Sequence, residues 1–160
     1  MLSKKISSLT IIFAIVAFLG FADATYLTIS HFADITLPCG TGIFSDCGKV
    51  TSSVYATIFG IPIALFGALY YVTHLVLAIM TLDTKNTKWI RWAGYLSIGG
   101  LIASASLVFL MIFVIKALCL YCFGSALSST ILFALGMYMV RLIKHEELLR
   151  VADNRIPESA

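Results

Sequence analysis

Apolar residues run through this chain in four long blocks, and the polar residues gather between them. The blocks cover approximately Ser8–Ile29, Pro62–Leu82, Trp92–Ile115 and Leu118–Leu142. Each reaches the length of about 20 residues that a helix needs to cross a bilayer. The first follows Lys4 and Lys5 and so resembles a signal peptide at first sight. Its apolar run exceeds the roughly 7–15 residues of a signal-peptide core, and no clear cleavage site follows Tyr26, so it is read as a retained span. The pattern therefore predicts an all-α integral membrane protein, a four-transmembrane-helix bundle.

The segments between the blocks refine that picture. Asp83–Arg91 is short, which makes spans two and three antiparallel neighbours, and Lys116-Ala117 leaves only a tight turn before span four. Trp89 and Trp92 flank a membrane boundary, where indole rings favour the interface. The longest connection, about Ser30–Ile61, carries a turn-rich Leu-Pro-Cys-Gly-Thr-Gly at 37–42. Its later part, Val50–Phe59, is too short to span but apolar enough to lie on the bilayer. It is expected to form a short interfacial helix across the bundle mouth, capped by serine or threonine and ended by Gly60-Ile61-Pro62. Span three is rich in small residues (Gly94, Gly99, Gly100, Ala103, Ser104), read as close helix packing in lipid. A single domain is expected over 1–150, with a polar tail over 151–160.

Composition and charge agree with the bilayer. Hydrophobic residues make up 60% of the 160 positions and charged ones 12%, with a mean hydropathy of +0.99. Soluble domains carry about 25% charged residues, and a chain this short has no water-facing core large enough for so much apolar surface. The net charge of +3 needs no nucleic acid to explain it. Lys4 and Lys5, then Lys85, Lys88 and Arg91, then Arg141, Lys144 and Arg150 all fall on one side of the four spans; the other keeps Lys49 and Lys116. Positive residues mark the cytoplasmic side, which puts both termini in the cytoplasm and the 30–61 segment outside.

That topology places all four cysteines near the outer face, where disulfides persist. Cys39 and Cys47 lie in the outward segment, and Cys119-Leu120-Tyr121-Cys122 opens span four. A c-type haem site needs His after the second cysteine, but position 123 is Phe. A four-cysteine zinc site and static structural disulfides stay open, although zinc usually closes a polar knuckle rather than an apolar span. Position favours redox chemistry. Cys119 sits at a helix N-terminus, where unsatisfied N–H groups and the dipole stabilise a thiolate, with Lys116 close by. Cysteines three apart share a helix face and can form a strained, reducible bond. A second pair on a glycine-containing loop supplies what an electron relay needs, because exchange proceeds only when a thiolate reaches a sulfur in line.

These residues together resemble the vitamin K epoxide reductase family, in particular its bacterial disulfide-generating members. The resemblance rests on Cys39, on Ser45-Asp46-Cys47-Gly48-Lys49-Val50 with Ser52-Ser53, on Phe59-Gly60-Ile61-Pro62 and on Cys119-Leu120-Tyr121-Cys122, and it covers about residues 8–142. The unrelated DsbB family also pairs four spans with two cysteine pairs, but its CxxC comes first. Membership implies a membrane thiol–disulfide oxidoreductase that supports disulfide formation, set in a bacterial inner or cell membrane. Cys39 would exchange with a separate thioredoxin-like (DsbA-type) protein, Cys47 would pass electrons to Cys119, and Cys122 would meet a quinone, ubiquinone or menaquinone. Ser53 matches a family hydroxyl near the active cysteine or quinone. Animal members carry an asparagine and a tyrosine where Ile63 and Ala126 stand here, so vitamin K epoxide is less supported as substrate than a plain quinone.

Other residues carry weaker signals. Asp23, inside span one, is a candidate proton relay or a carboxyl bonded to Thr25 or Tyr26, since an intramembrane charge is costly. His74 is expected to be a hydrogen-bonded packing residue, and His31 and Asp34 solvated at the outer edge. Among Phe44, Tyr55, Phe59, Phe66, Tyr70 and Phe123, candidates to line a quinone pocket, Phe59 is favoured, together with Tyr121. Two further readings compete: a vitamin K quinone or epoxide reductase using the same cysteines, and a non-enzymatic tetraspan subunit stapled by them.

Overall fold

The computed structural model describes residues 4–33, 47–51 and 53–153. Four helices form the frame: α1 (Lys4–Phe32), α3 (Ile63–Thr84), α4 (Thr87–Phe109, continued by a π-helical turn over Leu110–Ile115) and α5 (Leu120–Asp153). All four are long and apolar enough to cross a membrane. A short helix α2 (Cys47–Thr51) precedes α3. The frame helices pack in the ring α1–α3–α4–α5, each against two neighbours.

What turns one face of each helix inward is side-chain size rather than polarity. On α1 the buried residues Ile6, Thr10, Phe13, Ala17, Gly20, Ala24 and Leu27 recur at alternating three- and four-residue spacing, a single stripe along the helix. Ile11, Ile15, Phe18, Leu19 and Ile29 on its other face are exposed, which in lipid is no penalty. Small residues set the crossings. Tyr71 lies flat against Gly20, and Gly94 of α4 meets Gly136 of α5 backbone to backbone, so that a Cβ on Gly94 would stand 3.1 Å from the Gly136 carbonyl oxygen. Several hydroxyls inside the frame back-bond to carbonyls on their own helix, as Thr10 does to Ile6 at 2.8 Å and Thr81 to Leu77 at 2.7 Å. That satisfies them where water is absent.

The helices outrun the predicted spans. α1 begins at Lys4 and α5 continues to Asp153, beyond the expected ends at Ser8 and Leu142. The extra turns of α5 are built from helix formers such as Lys144, Glu146, Glu147 and Leu148, and Glu147 bonds Arg91 of α4 at 2.7 Å.

The interfacial helix expected over Val50–Phe59 is interrupted. α2 stops at Thr51, a 3₁₀ turn follows at Val54–Ala56, and Thr57–Ile58 pairs antiparallel with Ile61–Pro62. The break has a local cause: the Ser53 hydroxyl donates to the Val50 carbonyl at 2.8 Å and its N–H to the same oxygen at 3.3 Å, closing a turn instead of a helix. Phe59 (φ +53°) and Gly60 (φ +79°) then form the hairpin tip. Two successive left-handed residues match the twist of a two-residue hairpin.

Candidate functional site

The site grows from the junction of α4 and α5. The π-helical turn widens the end of α4, and Lys116 at φ +53° stops it. The chain then re-enters helix at Leu120, leaving Cys119 as the N-cap of α5, its carbonyl accepting the Phe123 N–H at 3.0 Å. The Cys119 sulfur takes the role that a serine or aspartate oxygen usually plays at this position: it accepts the Cys122 N–H at 3.3 Å. The Cys122 thiol donates to it as well, with the two sulfurs 2.7 Å apart. Both cysteines carry free thiols, Cys119 buried and Cys122 half-buried.

These donors hold the Cys119 thiol below the ordinary cysteine range. The Cys122 thiol contributes most, burial opposes it, and the backbone N–H groups of Cys122 and Tyr121 add to the lowering. Asp23 acts against ionisation from α1. Lys116, expected to assist, is exposed and is not among the groups that act on Cys119. Local hydrogen bonds do the work assigned to its charge.

Cys47 belongs to a disulfide and is fully buried at the start of α2. It packs in one cluster with Cys119 and Met111, with Val50, Leu118, Tyr121 and Cys122 around them. The loop cysteine is thus brought against the helix-start pair. Met111, which nothing in the sequence singled out, closes the arrangement: its sulfur accepts the buried Cys119 N–H at 3.4 Å. Cys39 lies outside the described residues, as do Phe44 and Asp34.

Beside this cluster a cavity of about 360 Å³ opens between the helices. Its origin is visible in α4, whose buried residues Ile90, Ala93, Gly94 and Ser97 all fall in its first half. Past the Gly94–Gly136 crossing α4 stands off, and Gly99, Gly100, Ala103 and Ser104 form a wall of the cavity. The glycine- and serine-rich stretch read as packing therefore packs at one end only and makes space at the other. Cys122 of α5 is part of the lining, as are Ser53 and Ala56 from the segment before α3. The lining is mostly carbon, and the volume falls within the range of small-molecule sites.

The structure sorts the sequence candidates. Ser53, Tyr55, Phe66 and Tyr70 line the cavity, as do Ile63 and Ala126. Phe59 does not; it is 101% exposed at the hairpin tip. Tyr121 stacks on Tyr26 at 5.4 Å beside the cysteine cluster rather than on the cavity wall. Asp23 is half-buried, and its Oδ2 finds no hydrogen-bond partner among the described residues, nor does Thr25 Oγ1. His74 is a buried packing residue whose Nδ1 meets the Tyr70 carbonyl oxygen at 2.8 Å. His31 reaches the cavity instead of standing free at the edge. Tyr71, Ser125 and Ser129, not singled out by sequence, line it too. Their signal was the spacing of Ser125 and Ser129 three and seven residues after Cys122, on the same face of α5.

Two thiols beside an apolar cavity, on helices sized for a bilayer, are the setting that an integral membrane thiol–disulfide oxidoreductase requires. A sequence model of the Vitamin K epoxide reductase family matches residues 11–137, and the chain belongs to that family. The match runs from α1 into α5 and takes in all four cysteines.

Proposed function

We propose that this protein reoxidises a thioredoxin-like (DsbA-type) partner on the outer face of a bacterial membrane and delivers the electrons to ubiquinone or menaquinone, with both termini cytoplasmic. The partner's dithiol attacks the disulfide formed by Cys39 and Cys47, and the partner leaves oxidised. The reduced loop pair then reduces the Cys119–Cys122 disulfide, with Cys47 attacking Cys119. Finally the Cys119 and Cys122 thiols give two electrons and two protons to the quinone, which leaves as hydroquinone while their disulfide re-forms. Nothing else is consumed, and the new disulfide stays with the partner.

The observation that carries the reading is a shared address. A disulfide-bonded Cys47 packs in one cluster with the free thiols Cys119 and Cys122, and Cys122 also forms a wall of an apolar cavity. A loop sulfur, a helix-start dithiol and a quinone-sized space lie in sequence. Vitamin K epoxide is not favoured, because Ile63 and Ala126 put only hydrocarbon on that wall. Single Cys→Ser variants of the purified protein test the relay. Cys47→Ser is expected to trap the partner on Cys39 as a mixed disulfide, and Cys122→Ser to abolish quinone reduction. Partner-dependent quinone reduction surviving in all four single variants would sink it.

A further inference from the structure

The hydroxyls at the cavity divide into two groups. Tyr71 is satisfied within the protein: its Oη donates to the Ser125 carbonyl oxygen at 2.6 Å and lies 3.1 Å and 3.0 Å from the Ser125 and Ser128 hydroxyls. Tyr70 and Ser129 are different. Both line the cavity, and their hydroxyls are close enough to influence one another. Yet neither Tyr70 Oη nor Ser129 Oγ has a hydrogen-bond partner of acceptable geometry among the described residues. Ser129 is only 2% exposed, and a buried hydroxyl left without a partner is costly and calls for an explanation.

The phenol is also held in place. The Tyr70 ring packs edge-on to Tyr71 at 5.1 Å and against His74 at 4.2 Å. Its hydroxyl end abuts Gly100, where any side chain would collide with it. Two neighbouring hydroxyls, one of them rigidly held and neither bonded, are an arrangement for one shared acceptor.

We propose that Tyr70 and Ser129 together seat one carbonyl oxygen of the quinone, at the end of the ring away from Cys122; the proposal rests on the quinone reading above. The spacing along α5 supports it. Ser129 follows Cys122 by seven residues on the same helix face, a rise of about 10.5 Å. A hydrogen bond of about 2.8 Å at one end and a reactive contact of about 3–3.5 Å at the other leave about 4–5 Å. That is the distance from a ring carbon to the far carbonyl oxygen of a six-membered dione. Two neutral donors suit this oxygen, since their bonds strengthen as it gains electron density on reduction. They supply polar recognition that the hydrocarbon of Ile63 and Ala126 does not.

The test uses the full chain in phosphatidylcholine nanodiscs with menadione as the bound probe. Tyr70→Phe and Ser129→Ala each remove one hydroxyl from a side chain of nearly the same shape. Each is expected to raise the Kd for menadione about tenfold, and the double variant by less than the product, because both donors address one atom. The infrared carbonyl band of bound menadione is expected to move to higher frequency in each. Tyr138→Phe, on the exposed face of α5 and off the cavity wall, is expected to leave that band in place. Unchanged Kd and band in Tyr70→Phe and Ser129→Ala, or an equal shift in Tyr138→Phe, overturns the seat while leaving quinone reduction standing. A parent protein that neither binds nor reduces menadione overturns the quinone reading and the seat with it.

Discussion

Replacing Cys122 by alanine separates the two duties that the helix-start pair performs. In the folded protein the Cys122 thiol donates to the Cys119 sulfur over 2.7 Å, and this bond is the largest cause of Cys119 ionising below the ordinary thiol range. A hydrogen bond to a charged group contributes about 1.5–3 kcal/mol. Cys119 is fully buried, so solvent does little to screen that contribution. Removing the donor while keeping the Cys122 N–H is therefore expected to cut the thiolate fraction at neutral pH by about ten- to a hundredfold. The sign is fixed by linkage. A thiol that ionises below its unfolded value stabilises the folded reduced state above that unfolded value, and loses this as pH falls through the folded one. Cys122→Ala is expected to move the reactivity midpoint to higher pH.

The assay is the pH dependence of iodoacetamide alkylation of the reduced protein, with the Cys119 peptide quantified by mass spectrometry. The parent is expected to reach its half-maximal rate at a pH below that of an ordinary thiol, and Cys122→Ala at a clearly higher one. Equal midpoints would mean that the N–H groups of Tyr121 and Cys122 suffice, and that the thiol pair is no ionisation device. A parent midpoint at or above the ordinary thiol range would refute the capping argument altogether.

Three other changes probe the frame. Met111→Leu keeps the packing volume but removes the sulfur that accepts the Cys119 N–H at 3.4 Å; an expected loss of about 1–2 kcal/mol is readable as a lower denaturation midpoint in detergent. Gly136→Val puts a branched side chain where a Cβ already stands 3.0 Å from the Gly94 Cα. It is expected to cost about 1–3 kcal/mol and to slow quinone reduction by shifting the α4 wall, whereas unchanged melting and turnover would contradict the close crossing. Glu147→Gln breaks a partly exposed ion pair with Arg91 and is expected to cost under about 1 kcal/mol; a larger loss in thermal denaturation would mean that this contact pins α4 to α5.

Sequence reading was most reliable where one physical demand dominates. Lipid requires about 20 apolar residues per span, so the blocks beginning near Ser8, Pro62, Trp92 and Leu118 located the start of each helix to within a few residues. The cysteine order Cys39, Cys47, Cys119, Cys122 pointed to the family to which the chain belongs. Reading failed where two local preferences compete. Val50–Phe59 is apolar and evenly spaced, but Ser53 bonds back to Val50 and Phe59 takes a left-handed turn conformation. The aromatic favoured for the pocket therefore ended at a hairpin tip. Met111 was invisible because a methionine in an apolar span looks like filler until a π turn aims its sulfur at a specific N–H. The stretch Gly99 to Ser104 was read as packing for a related reason: small residues let helices approach, but they equally leave room where the helices diverge.

That divergence links the fold to the chemistry. In the proposed relay Cys119 needs donors around its sulfur and no solvent, whereas Cys122, three residues on, needs open space in front of it. A regular helix entering from a tight turn gives similar surroundings to both. Here the π turn of α4 packs Met111 over Cys119, while α4 itself, free of buried residues beyond Ser97, stands away from the Cys122 side. One helix thus covers the first sulfur and uncovers the second. Closing α4 onto α5 along its whole length would satisfy more apolar surface but fill the cavity. The tight crossing at Gly94 and Gly136 is the compromise: it anchors the first half of α4 to α5 and lets the second half form a wall of the cavity.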